Sequence, residues 1–305
     1  MTGQKTDRAM QLRYLRYFVT LAQTRHFAKA ASACGVSQPT LSAGLNALEQ
    51  EMGKRLVERD RRFVGLTEHG EAILPWAQQI VSALASMNQT VSATNAHLEG
   101  EVTLAAIPAA LTYVGILGDA LLRRFPGVSL TVQSCTSREI EARLRAFEVD
   151  AGLTYLDHEP LPHMLSVPLY DERFVFVARR TEALEGRKRI SWREAAAYPL
   201  CLLHQGMQFR RILDARLAQM GLTATPRINA DSNVSLLALV KSADFATIVP
   251  DGYAQLFSGL DWAIFLPFDQ PDELRRVGLV VVDREPLSPL VSAILTIAKT
   301  LTPAD

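Results

Sequence analysis

The chain has 305 residues, of which 48% are hydrophobic and 21% are charged, and its formal net charge is zero. This composition is typical of a globular protein with two or three compact units, and it excludes a disordered or fibrous chain. Cys34, Cys135 and Cys201 lie far apart and form no CxxC pair. We therefore predict neither a disulfide framework nor a metal site, and no cofactor.

The first residues contain no uninterrupted apolar segment of the signal-peptide type. The longest stretch without charged residues, 72–98, contains five Gln or Asn residues and is too polar to span a membrane. We therefore expect a cytoplasmic protein without a membrane partner.

Charge is distributed unevenly along the chain. Residues 1–65 hold 11 Lys and Arg against 5 Asp and Glu, a net charge of +6, and the other 240 residues sum to −6. A small basic unit joined to a larger acidic one suggests a polyanion as partner of the first unit only. Chance unevenness is the alternative, and charge alone does not decide between the two.

Three short helices are predicted in the basic unit. The first has apolar residues at helical spacing, namely Leu12, Leu15, Phe18, Val19 and Ala22. The segment HFAKAASAC predicts a second helix that ends at Gly35, and Ser37 is a good N-cap for a third. The inward stripe of that third helix is Leu41, Leu45, Leu48 and Met52. Two helices joined by a short glycine-containing turn are typical of a helix-turn-helix unit.

The third helix carries no charged side chain from Ser37 to Leu48. Its outward groups are small and hydrogen-bonding, which suits a major groove about 12 Å wide, and flanking basic residues suit phosphates. The next segment, RLVERDRRFVGLT, predicts a two-stranded wing. An ordinary surface helix is the alternative, which the preceding helix and the basic flanks disfavour. The candidate DNA-binding residues are Arg25, Lys29, Ser37, Gln38, Pro39, Thr40, Ser42, Asn46, Arg55, Arg59 and Arg62.

Positions 15–70 resemble the DNA-binding domain of LysR-type transcriptional regulators. The resemblance rests on the order and spacing of Phe18, Phe27, Ala30, Ala31, Ser37, Gln38, Pro39, Ser42, Leu48, Glu49, Gly53, Leu56, Arg59, Leu66, Thr67 and Gly70. Asn46 stands where the family usually has Arg or Lys, and Val57 where Phe is common. The departure at Asn46 concerns one phosphate contact and not the mode of binding.

The resemblance implies a homodimer that assembles further into a homotetramer and bends a double-stranded, pseudo-palindromic operator. RNA polymerase is a further candidate partner. The segment EVDAGLTYLDHEPL (148–161) is faintly similar to regulators of formate dehydrogenase operons.

A long linker helix is predicted after the wing. Its heptad seam consists of Ile73, Ala77, Ile80, Leu84, Met87, Val91 and Leu98. A helix from a second copy is the natural cover for this seam, and packing against the chain's own domains is the alternative. Pro75 lies inside the segment, where a kink is expected. We thus predict a winged helix-turn-helix domain over 1–67 and a dimerisation helix over 68–98.

Residues 99–305 alternate between strand and helix patterns, which predicts a parallel α/β sheet. The return of the last strand and helix to the first sheet predicts two lobes, 99–167 with 267–305 and 168–266, with crossovers near 165–170 and 264–268. This arrangement resembles the effector domain of the same family, which has the periplasmic-binding-protein fold. The expected fold class is α + α/β: a winged helix-turn-helix, a linker helix and a two-lobed effector domain.

A cleft between two such lobes binds ligands near strand ends and helix N-termini, which favour anions. We therefore expect a small-molecule effector, specifically a small carboxylate. The candidate contacts are Pro108, Ala109, Ala110, Thr136, Ser137, His204, Gln205, Gly206 and Asn233. Thr136 also fits a capping box with Glu139, and a purely structural role is the alternative for His204.

Three other classes of protein fit the sequence less well. The sequence lacks the GxSxG, HExxH, GxxxxGK[ST] and strand-linked GxGxxG motifs, so we do not expect an enzyme. A cysteine-based redox regulator of the same architecture is the alternative function. No cysteine follows Cys201, and Cys135 is predicted in the other lobe, which favours inert buried thiols. A solute-binding protein is disfavoured by the basic first unit.

Overall fold

The computed structural model describes residues 11–59, 62–93, 98–257, 259–270 and 274–302. The chain forms two compact units, Met1–Val91 and Ser92–Asp305, which are described separately. Within these ranges, every helix is too short or too polar to cross a bilayer.

The first unit is a winged helix-turn-helix, as predicted. Its elements are α1 (Leu12–Thr24), α2 (Phe27–Ala33), α3 (Gln38–Met52), β1 (Val57–Arg59), β2 (Phe63–Leu66) and α4 (Glu68–Ala93). Gly35 ends the turn after α2 with φ of 69°, a conformation that glycine adopts at little cost. Strands β1 and β2 pair antiparallel and form the wing.

The core of the first unit lies where α1, α2 and α3 meet. Phe18, Leu41 and Leu48 are fully buried there. Two residues of the predicted inward stripes are exposed: Leu12 is 45% exposed and Met52 is 39% exposed. Each is the terminal residue of its helix, so it lies beyond the neighbouring helices that cover the middle of the stripe.

Helix α4 contributes its first turns to the same core. Ala77 is buried, and Ile73 and Val81 pack against the cluster. The helix ends at Ala93, and residues 94–97 lie outside the described residues. Leu98 was predicted on the heptad seam, which is wrong. It precedes the first strand of the second unit and packs against that unit's core, because the helix has ended.

Gly70, in the first turns of α4, packs directly against the wing. A Cβ atom at this position would lie 2.1 Å from the backbone oxygen of Leu56. We expect Gly70→Ala to destabilise the first unit by about 1–3 kcal/mol, because backbone must move to admit the methyl group. Thermal unfolding followed by circular dichroism measures the change. Gly65→Ala is the matched control, since a Cβ there meets nothing within 4 Å, and equal effects of the two variants would contradict the prediction.

The second unit alternates strands and helices. Its elements are β3 (Glu99–Ala106), a 3₁₀ helix (Pro108–Tyr113), α5 (Val114–Arg124), β4 (Gly127–Ser134), α6 (Ser137–Arg145), β5 (Ala151–Tyr155), β6 (Met164–Glu172), β7 (Phe174–Arg179), α7 (Trp192–Ala197), β8 (Cys201–Leu203), α8 (Gln208–Gln219), β9 (Ile228–Ala230), α9 (Asn233–Ser242), β10 (Ala246–Pro250), α10 (Asp251–Leu256), β11 (Ala263–Pro267), β12 (Arg275–Val282) and α11 (Pro289–Leu301). These elements form two lobes.

The first lobe contains a five-stranded sheet in the order β4-β3-β5-β12-β6. Strand β3 pairs parallel with β4 and β5, as predicted. Strand β12 pairs antiparallel with both β5 and β6, which the prediction of a parallel sheet missed. The reason is topological, because β12 re-enters this lobe from the second lobe and runs in the opposite direction.

The second lobe holds an antiparallel sheet in the order β10-β7-β11 and a parallel pair, β8 with β9. The chain first crosses between lobes at Arg173, later than the 165–170 expected from the sequence. Strand β6 pairs with β12 as far as Glu172, and β7 begins in the other lobe at Phe174. The second crossing follows β11, beyond Pro267.

Candidate functional site

The outward face of α3 is small, polar and exposed. Ser37 caps the helix: its hydroxyl oxygen accepts a hydrogen bond from the Thr40 backbone N–H at 3.3 Å and lies 2.8 Å from the Thr40 hydroxyl. Gln38, Pro39, Thr40 and Asn46 are exposed, and Ser42 is half-buried. The cap leaves the first turn of α3 open to a partner molecule.

Basic residues flank α3 on both sides in sequence. Arg25, Lys29, Arg55 and Arg62 are all exposed. Arg59 ends β1, and its side chain lies outside the described residues. A neutral helix face with cations before and after it provides short hydrogen-bonding groups for base edges and charges for phosphates.

Glu49 connects α3 to the wing through hydrogen bonds. This residue is buried, and its Oε1 atom accepts hydrogen bonds from the backbone N–H groups of Leu56 at 2.9 Å and Val57 at 3.1 Å. Because both bonds go to a charged acceptor, they are stronger than ordinary amide bonds. The carboxylate thus fixes the start of β1 relative to α3.

A cavity of 310 Å³ lies between the two lobes of the second unit. The lining residues are His158, Glu159 and Arg275 from the first lobe, and Phe174, Gln208, Arg211, Ile212, Ala215, Arg216 and Gln219 from the second. The spacing of Gln208, Ile212, Ala215 and Gln219 places one face of α8 along the wall. Three arginines against one glutamate make this wall cationic.

Arg211 joins the lobes at the edge of this cavity. Its guanidinium binds the carboxylate of Glu159 and donates to the Ser137 hydroxyl at 3.3 Å, both in the first lobe. It also donates to the backbone oxygens of Gly206 at 2.7 Å and Gln205 at 3.4 Å. Three of the predicted contact residues, Ser137, Gln205 and Gly206, therefore meet at Arg211.

A second bridge connects the lobes through Pro108. Its backbone oxygen accepts hydrogen bonds from the Tyr253 hydroxyl at 2.8 Å and from Asn233 Nδ2 at 3.4 Å. Pro108, Ala109 and Ala110 are buried, and the cavity is lined by other residues.

Two predicted contacts make local hydrogen bonds. Thr136 forms a capping box with Glu139, whose pKa is lowered by hydrogen bonds from the Thr136 backbone and hydroxyl. His204 Nδ1 accepts from the Gly206 backbone N–H at 3.0 Å. The structure thus gives Thr136 the capping role that its sequence context offers.

Gln208 is the third link between the lobes. Its Oε1 atom accepts from the Thr154 hydroxyl of β5 at 3.2 Å, and the side chain is almost fully buried. Its Nε2 atom has no acceptor among the described residues. A buried amide N–H₂ without an acceptor at a cavity wall is a position where a ligand oxygen is stabilised.

Arg275 is the most deeply placed cation of the cavity. It is 2% exposed, lies 3.6 Å above the ring of Phe174, and its Nε atom is 4.0 Å from the buried carboxylate of Glu172. The Tyr155 hydroxyl binds the same carboxylate, and burial together with this negative charge raises the pKa of Tyr155.

Sequence reasoning missed Gln208, Arg211 and Arg275. A signal for Arg275 existed, since it has the same strand parity as the buried Val277 and Leu279. No comparable signal marked Arg211, because its partners in the first lobe, Ser137 and Glu159, are distant in sequence.

The cysteines occupy two different environments in the second unit. Cys201 is fully buried, and burial raises the pKa of its thiol to about 11. Cys135 is also buried, and its sulfur accepts from Arg143 Nη1 at 3.1 Å. Among the described residues, no group of three His, Cys, Asp or Glu side chains forms a metal site.

A winged helix-turn-helix unit followed along the chain by a two-lobed α/β unit defines a DNA-binding transcriptional regulator. Two family models match the chain: "Bacterial regulatory helix-turn-helix protein, lysR family" over residues 12–71 and "LysR substrate binding domain" over residues 95–302. The chain belongs to the LysR family and is a LysR-type transcriptional regulator, as the sequence resemblance implied.

Among curated relatives, a "Probable hydrogen peroxide-inducible genes activator" of Mycobacterium avium is 33% identical over 87% of this chain and 86% of its own. The "DNA-binding transcriptional dual regulator OxyR" of Escherichia coli is 26% identical over 91% of both chains.

Solved structures show the same fold. Full-length OxyR from Pseudomonas aeruginosa, a single-residue variant, superposes with a TM-score of 0.77 at 27% identity, over 97% of this chain and 99% of the other. CbnR in complex with its target DNA gives a TM-score of 0.69 at 21% identity, over 96% and 100% of the two chains.

Proposed function

We propose that this regulator reads DNA with α3 and the wing. Gln38, Thr40 and Ser42 contact base edges or the nearby backbone, together with Pro39, and the flanking arginines and Lys29 contact phosphates. Ser37 positions the first turn as its cap, and Asn46 extends the reading face. The exposed, uncharged face of α3 supports this division of roles.

Two copies of the chain present this surface to a pseudo-palindromic operator. Helix α4 leaves Ile80, Met87 and Val91 exposed to 39%, 57% and 69% at heptad spacing. Helix α4 of a second copy suits this seam as its packing partner. The same proposal includes assembly into tetramers, bending of the DNA and a contact with RNA polymerase.

The effector of this regulator is a small anion held between the lobes. The observation that carries this proposal is the cavity whose wall combines Arg211 and Arg275 with the unfilled amide of Gln208. An anion that contacts both lobes favours their closed arrangement and thereby changes the affinity for DNA, provided that its affinity differs between the two states. That this chain regulates a formate dehydrogenase operon stays a prediction.

Fluorescence anisotropy tests this function. The full-length protein is titrated onto the DNA upstream of its own gene and onto a scrambled duplex, at two salt concentrations, with and without a panel of carboxylates. We expect preference for the native duplex, a steep salt dependence and a shift in affinity with at least one carboxylate. A response only to neutral or cationic metabolites would contradict the anionic effector.

Base and phosphate contacts are separable by mutation. Gln38→Ala should alter the sequence preference and cost about 1–3 kcal/mol on the preferred operator only. Arg55→Ala should weaken binding to every duplex and lower the salt slope by about 1. Both variants are compared with the wild type by anisotropy on matched and mutated operators. An equal loss on all sequences for both variants would refute the assignment.

Peroxide sensing is the second candidate function, and the names of the relatives support it. The thiols of this chain support it less. Cys201 is buried with a raised pKa, and reactive cysteines are exposed thiolates. Cys135 has a cation beside its sulfur and is the better candidate for oxidation to a sulfenic acid by peroxide.

The two functions predict different responses to peroxide. If the effector is an anion, operator affinity stays unchanged by peroxide, and Cys135→Ser and Cys201→Ser respond to carboxylates like the wild type. A large, reversible change with peroxide that disappears in Cys135→Ser would establish redox sensing instead.

A further inference from the structure

Arg211 already holds a carboxylate in the structure. Glu159 reaches it from the loop between β5 and β6, and the Ser137 hydroxyl donates to the other carboxylate oxygen of Glu159 at 2.9 Å. The side chains of Arg211 and Glu159 are 28% and 31% exposed, so solvent reaches the pair. The two backbone oxygens at 205 and 206 fix the guanidinium in its own lobe.

Glu159 and Arg211 both line the 310 Å³ cavity. A ligand carboxylate beside Arg211 would therefore meet the carboxylate of Glu159, and two like charges at one guanidinium disfavour each other. The cavity lining also includes Phe174 and Ile212, which offer apolar surface, and Gln208, whose Nε2 atom has no acceptor among the described residues.

We propose that Glu159 is an internal competitor of the effector. Its carboxylate occupies the position on Arg211 that the carboxylate of the ligand would take. When the ligand binds, its ion pair with Arg211 replaces the ion pair between Glu159 and Arg211. The effector class is then a monocarboxylate with an apolar body for Phe174 and Ile212 and an acceptor for Gln208. This inference rests on the proposed function, since it concerns the same cavity.

Glu159→Gln removes the competing charge at nearly constant shape. The test measures the unfolding midpoint of the full-length protein against acetate concentration, with chloride at equal ionic strength and neutral acetamide as references. Acetate is the probe because it presents a carboxylate with minimal body. We expect Glu159→Gln to bind acetate at least about fivefold more tightly than the wild type, the lower end of coupling between linked sites.

Glu194→Gln is the matched control. Glu194 pairs with Arg187 at similar exposure, 35% for each side chain, but both residues lie in the second lobe and away from the cavity lining. We expect its acetate response to equal that of the wild type. Ser137→Ala, which removes the hydrogen bond that anchors Glu159, should shift acetate affinity in the same direction as Glu159→Gln, by less, and serves if Glu159→Gln fails to fold.

Two results would overturn the inference. One is an equal acetate response of Glu159→Gln and Glu194→Gln, and the other is weaker binding in Glu159→Gln, which would make Glu159 part of the ligand site. If carboxylates still shift the operator affinity of the wild type, only the proposed role of Glu159 is wrong. If carboxylates leave that affinity unchanged, the proposed anionic effector is wrong as well.

Discussion

Arg275→Ala is expected to destabilise the second unit by about 3–5 kcal/mol, because it leaves the Glu172 carboxylate buried without this cation. The same change removes the surface that stacks on Phe174 at 3.6 Å. For a unit of this size such a loss lowers the midpoint of thermal unfolding by roughly 10 °C. Calorimetry of the full-length protein measures the shift.

The neighbouring arginine provides the control. Arg276 pairs with Asp171 at 3.4 Å, but its side chain is 54% exposed. Solvent screens that pair, so Arg276→Ala should cost less than about 1 kcal/mol. Similar midpoints for the two variants would show that the buried position of Arg275 contributes nothing special, and the account of the buried cluster would be wrong.

Glu49→Ala is expected to destabilise the first unit by about 2–5 kcal/mol. The backbone N–H groups of Leu56 and Val57 lose their acceptor, and each buried donor without a partner costs about 1–3 kcal/mol. Because the wing then loses its connection to α3, operator affinity should fall as well. Chemical denaturation and anisotropy on the operator measure the two effects.

The residue next to Glu49 provides the control. Gln50 is exposed, so Gln50→Ala should change neither stability nor DNA affinity appreciably. Glu49→Gln keeps an oxygen in the place of Oε1 and should recover most of the loss. If Glu49→Ala resembled Gln50→Ala, the carboxylate would not be what positions the wing.

Local patterns sufficed for the first unit. The spacing of Leu41, Leu45 and Leu48, the glycine at 35 and the cap at Ser37 each act within a few residues, so the sequence displays them directly. The helix ends were less predictable, as Leu12 and Met52 show, because burial there depends on where the neighbouring helices stop. The wing was visible as two short apolar runs around a basic tip.

The cavity between the lobes was less accessible to sequence reasoning. The direction of β12 and the contacts of Arg211 with Ser137 and Glu159 depend on segments more than 50 residues apart in sequence. Hydrophobic periodicity does not predict such pairings. Helix N-termini identified Ser137, Gln205 and Gly206, which the structure gathers at Arg211. The arginines that make the wall cationic reach the cavity because of the strand topology. The pattern of strands and helices in the sequence does not determine that topology in detail.

The packing of α4 into the core of the first unit limits where this unit can be joined to another protein. A DNA-binding segment cut at residue 67 would lose Ile73, Ala77 and Val81, and with them part of the hydrophobic core that α4 shares with α1, α2 and α3. Hybrid regulators that join this reading head to a foreign sensor should therefore be spliced beyond Val81. The segment that must move as one piece is therefore longer than the part that carries the proposed DNA contacts.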